Sequence, residues 1–87
     1  MNFGKALEEL KAGKKVARKG WNGKGMFLYY VPANRYNAIT GPAKEIMGSD
    51  GKVEYGAYIA MYTAQKNVVP WLASQTDMLA EDWEVVE

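Results

Sequence analysis

A glycine-rich basic loop at residues 18–26, RKGWNGKGM, carries side chains suited to holding an anionic, aromatic ligand. Glycines allow backbone amides to approach a ligand closely, and successive amides in a turn can bind an anion. Cationic side chains donate charge-assisted hydrogen bonds to phosphate, and an indole ring stacks on a heterocycle. The candidate ligand-binding residues of this basic loop are Arg18, Trp21, Asn22, Gly23 and Lys24. The alternative is a plain hairpin turn, with solvated lysines and a tryptophan that packs on the core.

A second candidate is the polar segment at residues 70–77, PWLASQTD, in which a tryptophan precedes a run of polar groups. Pro70 restricts the backbone before the indole ring, which lowers the entropic cost of ordering it. The polar groups could hydrogen-bond a base edge and ribose hydroxyls. The candidate ligand-binding residues of this segment are Trp71, Ser74, Gln75, Thr76 and Asp77. The alternative is a helix cap with Trp71 in the core. If both tryptophans face one cleft, they could clamp a purine.

The composition argues against catalysis and metal binding. The chain has no histidine and no cysteine, which removes the commonest general base, the usual zinc ligands and any disulfide. Asp77, Glu81 and Asp82 resemble an acid/base or metal cluster, but acidic residues are expected on a capped helical turn. The phosphate-binding motifs GxxxxGKS/T and GxGxxG are absent from the sequence. We therefore expect no enzyme activity, no metal and no cofactor.

Length and charge indicate a single soluble domain that spans residues 1–87. The net charge is only +1, whereas proteins that bind long nucleic acids usually carry a strong basic excess. No apolar run approaches the roughly 20 residues that span a bilayer, and the N-terminus lacks the apolar stretch of a signal peptide. We therefore expect an intracellular protein without membrane association. The small core of so short a chain and its high aromatic content favour a homo-oligomer.

Hydrophobic spacing predicts an amphipathic helix at the N-terminus. The i, i+3, i+4, i+7 pattern is formed by Phe3, Ala6, Leu7 and Leu10. Asn2 can cap the start of this helix, and Gly13 can end it in the left-handed conformation.

The chain beyond this helix is mainly β-structure. Residues 15–19 and 26–31 are predicted to form a hairpin with the basic loop at its tip, because Asn22-Gly23 favours a tight turn. Residues 53–64 alternate as one long strand, which Gly56 could interrupt.

The last part of the chain is predicted to be extended at residues 68–71, to form one helical turn that ends at Ala80, and to finish as a strand at 83–86. Ser74 or Thr76 would cap that turn. Trp83 is predicted to lie in the core or in a subunit contact.

Residues 33–52 interrupt the β-pattern. One or two helical turns are predicted after Pro42, ended by Gly48, with a turn at residues 49–52. The predicted fold is α+β: a small antiparallel sheet of four to five strands, an N-terminal amphipathic helix and a short helical insert.

The blocks MNFGKALEELKAGKKVARKGWNGKGM and PWLASQTDMLAEDWEVV resemble the opening and closing sequences of the second Thoeris anti-defence family. The members of this family are short phage proteins that sequester cyclic nucleotides. The resemblance covers nearly the whole chain and is weakest in residues 32–52. Thoeris immunity makes a cyclic ADP-ribose isomer that activates an effector. The resemblance implies that the chain binds this signal in the host cell cytoplasm without cleaving it.

The resemblance also implies a homo-oligomer, a tetramer, with the ligand pocket built between subunits. The matching positions are Trp21, Asn22, Trp71 and residues 74–77. By this likeness the tryptophans stack on the adenine, and the polar groups hold ribose and pyrophosphate. Some family members bind cyclic dinucleotides or trinucleotides at a separate site, so these are further candidate ligands.

Three other functions stay open. A phosphodiesterase acting on the same ligand would release product. A structural oligomerisation domain would use its aromatic residues only in interfaces, so that Trp21→Ala would dissolve the oligomer. A single-strand nucleic-acid binder would bind tightly and with strong salt dependence.

Overall fold

The computed structural model describes residues 1–21 and 24–87. The elements in chain order are α1 (Phe3–Lys11), β1 (Lys15–Arg18), β2 (Phe27–Val31), β3 (Asn34–Asn37), α2 (Gly41–Ile46), β4 (Lys52–Tyr55), β5 (Tyr58–Tyr62), β6 (Val68–Pro70), α3 (Gln75–Leu79) and β7 (Trp83–Val86).

Five of the strands form one sheet in the order β6-β5-β2-β1-β7, and β3 pairs with β4 in a separate two-stranded sheet. All pairs are antiparallel. Val16 in β1 lies opposite Leu28 in β2 and Val85 in β7. The predicted α+β class, with its N-terminal helix, five-stranded sheet and helical insert, is confirmed.

Helix α1 begins and ends at the residues that the sequence predicts. The side chain of Asn2 accepts a hydrogen bond from the backbone amide of Lys5 at 2.9 Å. Gly13, two residues beyond the helix, has a φ of 92°, which glycine adopts without a steric penalty. The capping residues therefore fix the length of the helix.

The core lies between α1 and one face of the five-stranded sheet. Its buried members are Ala6, Leu10, Val16, Leu28 and Trp83. Helix α1 contributes Ala6 and Leu10, which lie one turn apart on the same face. Strands β1, β2 and β7 each contribute one inward-facing side chain, Val16, Leu28 and Trp83 respectively. Trp83 is only 1% exposed, so its predicted place in the core is confirmed.

The predicted strand at residues 53–64 is interrupted at Gly56, the position at which the sequence allowed a break. Strand β4 ends at Tyr55, and β5 starts at Tyr58 in the other sheet. Gly56 has no side chain to pack against a neighbouring strand, so the chain leaves one sheet and enters the other at this point. The side-chain alternation continues through the segment, so Gly56 is the local signal that marks the break, and the change of sheet has no local signal.

The two-stranded sheet is a feature that the sequence did not predict. Strand β3, with the sequence NRYN, lacks the apolar alternation of a half-buried strand. Strand β3 is instead stabilised by its antiparallel pairing with β4. Arg35 lies opposite Glu54, and its Nη1 is 3.2 Å from Oε1 of Glu54. Arg35 also binds Asp50 through Nη2 at 2.9 Å.

Candidate functional site

The tryptophans of the basic loop and the polar segment meet at the same buried ring. Trp21 and Trp83 have ring centroids 5.5 Å apart at an interplanar angle of 80°. Trp71 and Trp83 are 6.0 Å apart at 86°. Both contacts are edge-to-face, the arrangement that the ring quadrupoles favour. Trp21 and Trp71, which are distant along the chain, therefore both pack against the ring of Trp83.

Neither Trp21 nor Trp71 is fully buried; both are half-buried, whereas Trp83 is in the core. Part of each outer ring therefore remains accessible to a ligand. The alternative interpretation placed each of these tryptophans against the core. It is partly correct, because both rings pack against the core cluster.

Arg18 links the basic loop to the end of the chain through two carboxylates. Its Nε donates to Oδ1 of Asp82 at 2.8 Å, and its Nη1 donates to Oδ1 of Asp77 at 2.9 Å. The side chains of Arg18 and Asp77 are 19% and 16% exposed, so this pair is better shielded than an ordinary surface ion pair. Arg18 lies opposite Trp83 on the neighbouring strand, which places the ion pairs next to the tryptophans.

The polar segment is held by a capping box at the start of α3. Ser74 is the N-cap: its Oγ accepts from the backbone amide of Asp77 at 3.0 Å and donates to Oδ2 of Asp77 at 2.9 Å. The sequence allowed Ser74 or Thr76 as the cap, and the structure selects Ser74. The backbone oxygen of Asp77 accepts from the indole nitrogen of Trp83 at 3.0 Å. Asp77 thus joins the cap, the ion pair and the core.

These contacts shift the pKa values of both carboxyls downward. Hydrogen bonding from Arg18 lowers the pKa of Asp82, with a further contribution from the backbone amide of Gly20. Partial burial acts to raise the pKa of Asp77, but hydrogen bonds from Arg18 and Ser74 outweigh it and lower the pKa. Both groups are therefore carboxylates at neutral pH, and they hold the pKa of Arg18 above its usual value.

Apart from the two tryptophans, the predicted ligand-binding residues differ in exposure and in the contacts they already make. Ser74, Gln75, Thr76 and Lys24 are exposed. Arg18 and Asp77 are occupied by the contacts described above, which give both a structural role. Their contact with a ligand stays a prediction. Asn22 and Gly23 lie outside the described residues.

A groove of about 410 Å³ opens beside Trp71. Its lining residues are Phe3, Leu7, Lys11, Tyr30, Ala57, Tyr58, Ile59, Trp71 and Ala73. Aromatic rings next to a lysine suit a heterocycle that carries phosphate. Of these residues only Trp71 was a sequence candidate, because the others come from α1, β2 and β5 and form no local motif.

A second cavity, of about 310 Å³, lies where the two sheets meet. It is lined by Val31, Tyr36, Asn37, Ile39, Thr40, Tyr55 and Tyr58. Among the ligand-binding candidates that the structure describes, none lines this cavity. Its size and aromatic lining are typical of a small-molecule pocket, and it depends on the two-stranded sheet, which the sequence did not predict.

The described ranges 1–21 and 24–87 contain neither a candidate metal cluster nor a candidate membrane span. No group of three or more acidic side chains is arranged to hold a metal ion. No helix in these ranges combines the length and the apolar character of a membrane span.

Comparison with known proteins assigns the chain to a family. Residues 1–86 match the profile of the Thoeris anti-defense 2-like domain. The chain is also 39% identical, over 95 aligned positions, to Thoeris anti-defense 2 from Bacillus phage SP01. That alignment covers 99% of this chain and 94% of the relative. The chain therefore belongs to the Thoeris anti-defense 2 family, which supports a phage anti-Thoeris function.

Proposed function

We propose that the protein is a sponge: it binds a cyclic ADP-ribose-type immune signal and sequesters it without cleaving it. The family membership supports the anti-Thoeris part of this function. The ligand and the mechanism rest on the site itself. The proposed location is the host cell cytoplasm, where the signal would have to be captured.

One observation carries the proposal. The basic loop and the polar segment carry Trp21 and Trp71, which are 50 positions apart in the sequence, and both rings converge on Trp83. Each segment presents a half-buried indole with exposed polar groups close by in sequence: Lys24 in the basic loop, and Ser74, Gln75 and Thr76 in the polar segment. The groove beside Trp71 adds Lys11 and further aromatic rings. Such a surface can stack a base and bind phosphate.

The same site offers little for bond cleavage. Its carboxylates, Asp77 and Asp82, are bound to Arg18 and have lowered pKa values, which makes them weak general bases at neutral pH. A sponge needs affinity alone. Nanomolar binding corresponds to about −12 kcal/mol, and stacking contributes roughly 1–3 kcal/mol per base. Charge-assisted hydrogen bonds of roughly 1.5–3 kcal/mol each would supply much of the rest.

The proposed assembly is a homotetramer in which neighbouring subunits complete the pocket. Large apolar side chains are exposed in the single chain: Leu72 is 91% and Leu79 is 79% exposed. Both lie in or next to the polar segment. An apolar surface at this position is typical of a protein contact, and a subunit placed there would adjoin the ligand.

Calorimetry followed by mass spectrometry tests the proposal. The protein is titrated with cyclic ADP-ribose isomers and with cyclic dinucleotides and trinucleotides, and the bound ligand is recovered after denaturation. We expect nanomolar binding of a cyclic ADP-ribose isomer and recovery of the intact molecule. Recovery of a hydrolysed product would establish a phosphodiesterase instead. The absence of binding to every ligand of the panel would remove the proposal.

A further inference from the structure

Asp82 makes hydrogen bonds with three consecutive residues directly before Trp21. Its Oδ1 accepts from Nε of Arg18 at 2.8 Å, and its Oδ2 accepts from the backbone amide of Gly20 at 3.0 Å. Its backbone oxygen accepts from the amide of Lys19 at 3.1 Å. One residue at the entrance of β7 thus holds the whole base of the basic loop.

The same network continues into the polar segment. Arg18, once bound to Asp82, also donates to Asp77 at 2.9 Å. Asp77 in turn holds Ser74, its capping partner, at 2.9 Å. The path therefore starts at the backbone amide of Gly20, passes through the side chains of Asp82, Arg18 and Asp77, and ends at the hydroxyl of Ser74. Every link is a charge-assisted hydrogen bond, the stronger class of such bonds.

The backbone at Gly20 fits closely against this carboxylate. A Cβ added at Gly20 would lie 3.2 Å from Oδ2 of Asp82, which is shorter than ordinary van der Waals contact. Gly20 does not have a positive φ, so the close approach, rather than backbone conformation, is what favours glycine here.

We propose that Asp82 is a positioning residue: it fixes the basic loop and the polar segment relative to each other, so that Trp21 and Trp71 are held ready for one ligand. This inference rests on the proposed function. Asp82 does not contact the ligand. It acts through Arg18 and Gly20, and it reduces the ordering cost of binding by holding both segments in place beforehand.

The sign of the effect separates this role from simple electrostatics. Arg18, Asp77 and Asp82 together carry one positive and two negative charges. Asp82→Asn removes a negative charge near an anionic ligand, so electrostatics alone would strengthen binding. Positioning predicts the opposite: affinity falls by roughly tenfold or more, the scale of one lost charge-assisted hydrogen bond.

The chain supplies a matched control network in the two-stranded sheet. Arg35 bridges Asp50 and Glu54, as Arg18 bridges Asp82 and Asp77. A Cβ added at Gly48 would lie 3.0 Å from Nη2 of Arg35 and 3.1 Å from Oδ1 of Asp50, so it would meet this ion pair as a Cβ at Gly20 would meet Asp82. Asp50→Asn and Gly48→Ala therefore repeat the same chemical changes away from the tryptophans.

The experiment compares two pairs of variants by calorimetry and by amide hydrogen exchange. Asp82→Asn and Gly20→Ala are the test pair, and Gly20→Ala keeps every charge, so it serves if the first variant folds poorly. We expect weaker binding and faster exchange in both residues 18–21 and 73–79. For the control pair, Asp50→Asn and Gly48→Ala, we expect wild-type affinity and faster exchange only around residues 34–37 and 48–54.

Two results would overturn the inference. One is wild-type or stronger affinity in both test variants while the wild-type protein binds normally, a result that leaves the proposed function intact. The other is faster exchange in residues 18–21 without any change in residues 73–79. Because exchange is measured on the ligand-free protein, this second result decides the matter even if the wild-type protein binds no ligand and the proposed function fails.

Discussion

Replacing Trp83 with phenylalanine tests whether this ring holds the site tryptophans together. Trp83 is 1% exposed and contacts Trp21 and Trp71. The smaller ring loses buried area and leaves a void, which costs about 1–2 kcal/mol. The lost indole N–H, which donates to the backbone oxygen of Asp77 at 3.0 Å, costs about 1 kcal/mol more. We therefore expect Trp83→Phe to lower the free energy of unfolding by about 2–3 kcal/mol.

Thermal and urea unfolding, followed by circular dichroism, measure this change. For a domain of this size the melting temperature should fall by roughly 10–20 °C. Trp21→Phe is the control, because Trp21 is half-buried and its replacement should cost less than about 1 kcal/mol. All samples need the same protomer concentration, since the proposed assembly would contribute to stability. If Trp83→Phe destabilises the protein no more than Trp21→Phe does, the structural role of Trp83 is refuted.

Further predictions concern binding, acid stability and assembly. Trp21→Ala and Trp71→Ala should each weaken ligand binding about 5- to 150-fold, from roughly 1–3 kcal/mol per stacking contact, while size-exclusion chromatography shows an unchanged oligomer; loss of the oligomer would favour a purely structural role. The pKa of Asp82 is lowered in the folded state, so its stabilising contribution is complete above its unfolded pKa of about 3.9 and is lost as the pH falls through the folded value. Urea unfolding of Asp82→Asn should accordingly show a smaller loss of stability below about pH 4 than the wild type, and equal slopes would argue against the ion pair. Leu72→Asp replaces a side chain that is 91% exposed in the single chain; analytical ultracentrifugation should show a smaller assembly with unchanged secondary structure, and an intact tetramer would place the interface elsewhere.

The elements with strong local signals were predictable from the sequence. Helix α1 has its apolar period within nine residues, Phe3–Lys11, and its capping residues Asn2 and Gly13 lie just outside the two ends. The β1–β2 hairpin and the cap of α3 likewise follow from residues that are close in the chain. These local signals also identified both candidate segments of the site.

The features that depend on distant pairing were not predictable. Strand β3 has little apolar character and is specified by its pairing with β4. Gly56 indicated where the strand at residues 53–64 could break, but the two halves belong to different sheets, and local alternation does not encode that assignment. The double ion pair of Arg18 joins residues 59 and 64 positions apart. The sequence alone suggested that Arg18 binds the phosphate of a ligand. In the folded chain its guanidinium group is bound to the carboxylates of Asp77 and Asp82.

A crystal structure of the protein with a cyclic ADP-ribose isomer is the most direct test of the nucleotide site. We predict an intact ligand whose adenine stacks on Trp21 or Trp71, with its ribose or phosphate groups near residues 74–77. A ligand bound only in the cavity formed by Tyr36, Tyr55 and Tyr58, with both tryptophans free of contact, would contradict the assignment of the site.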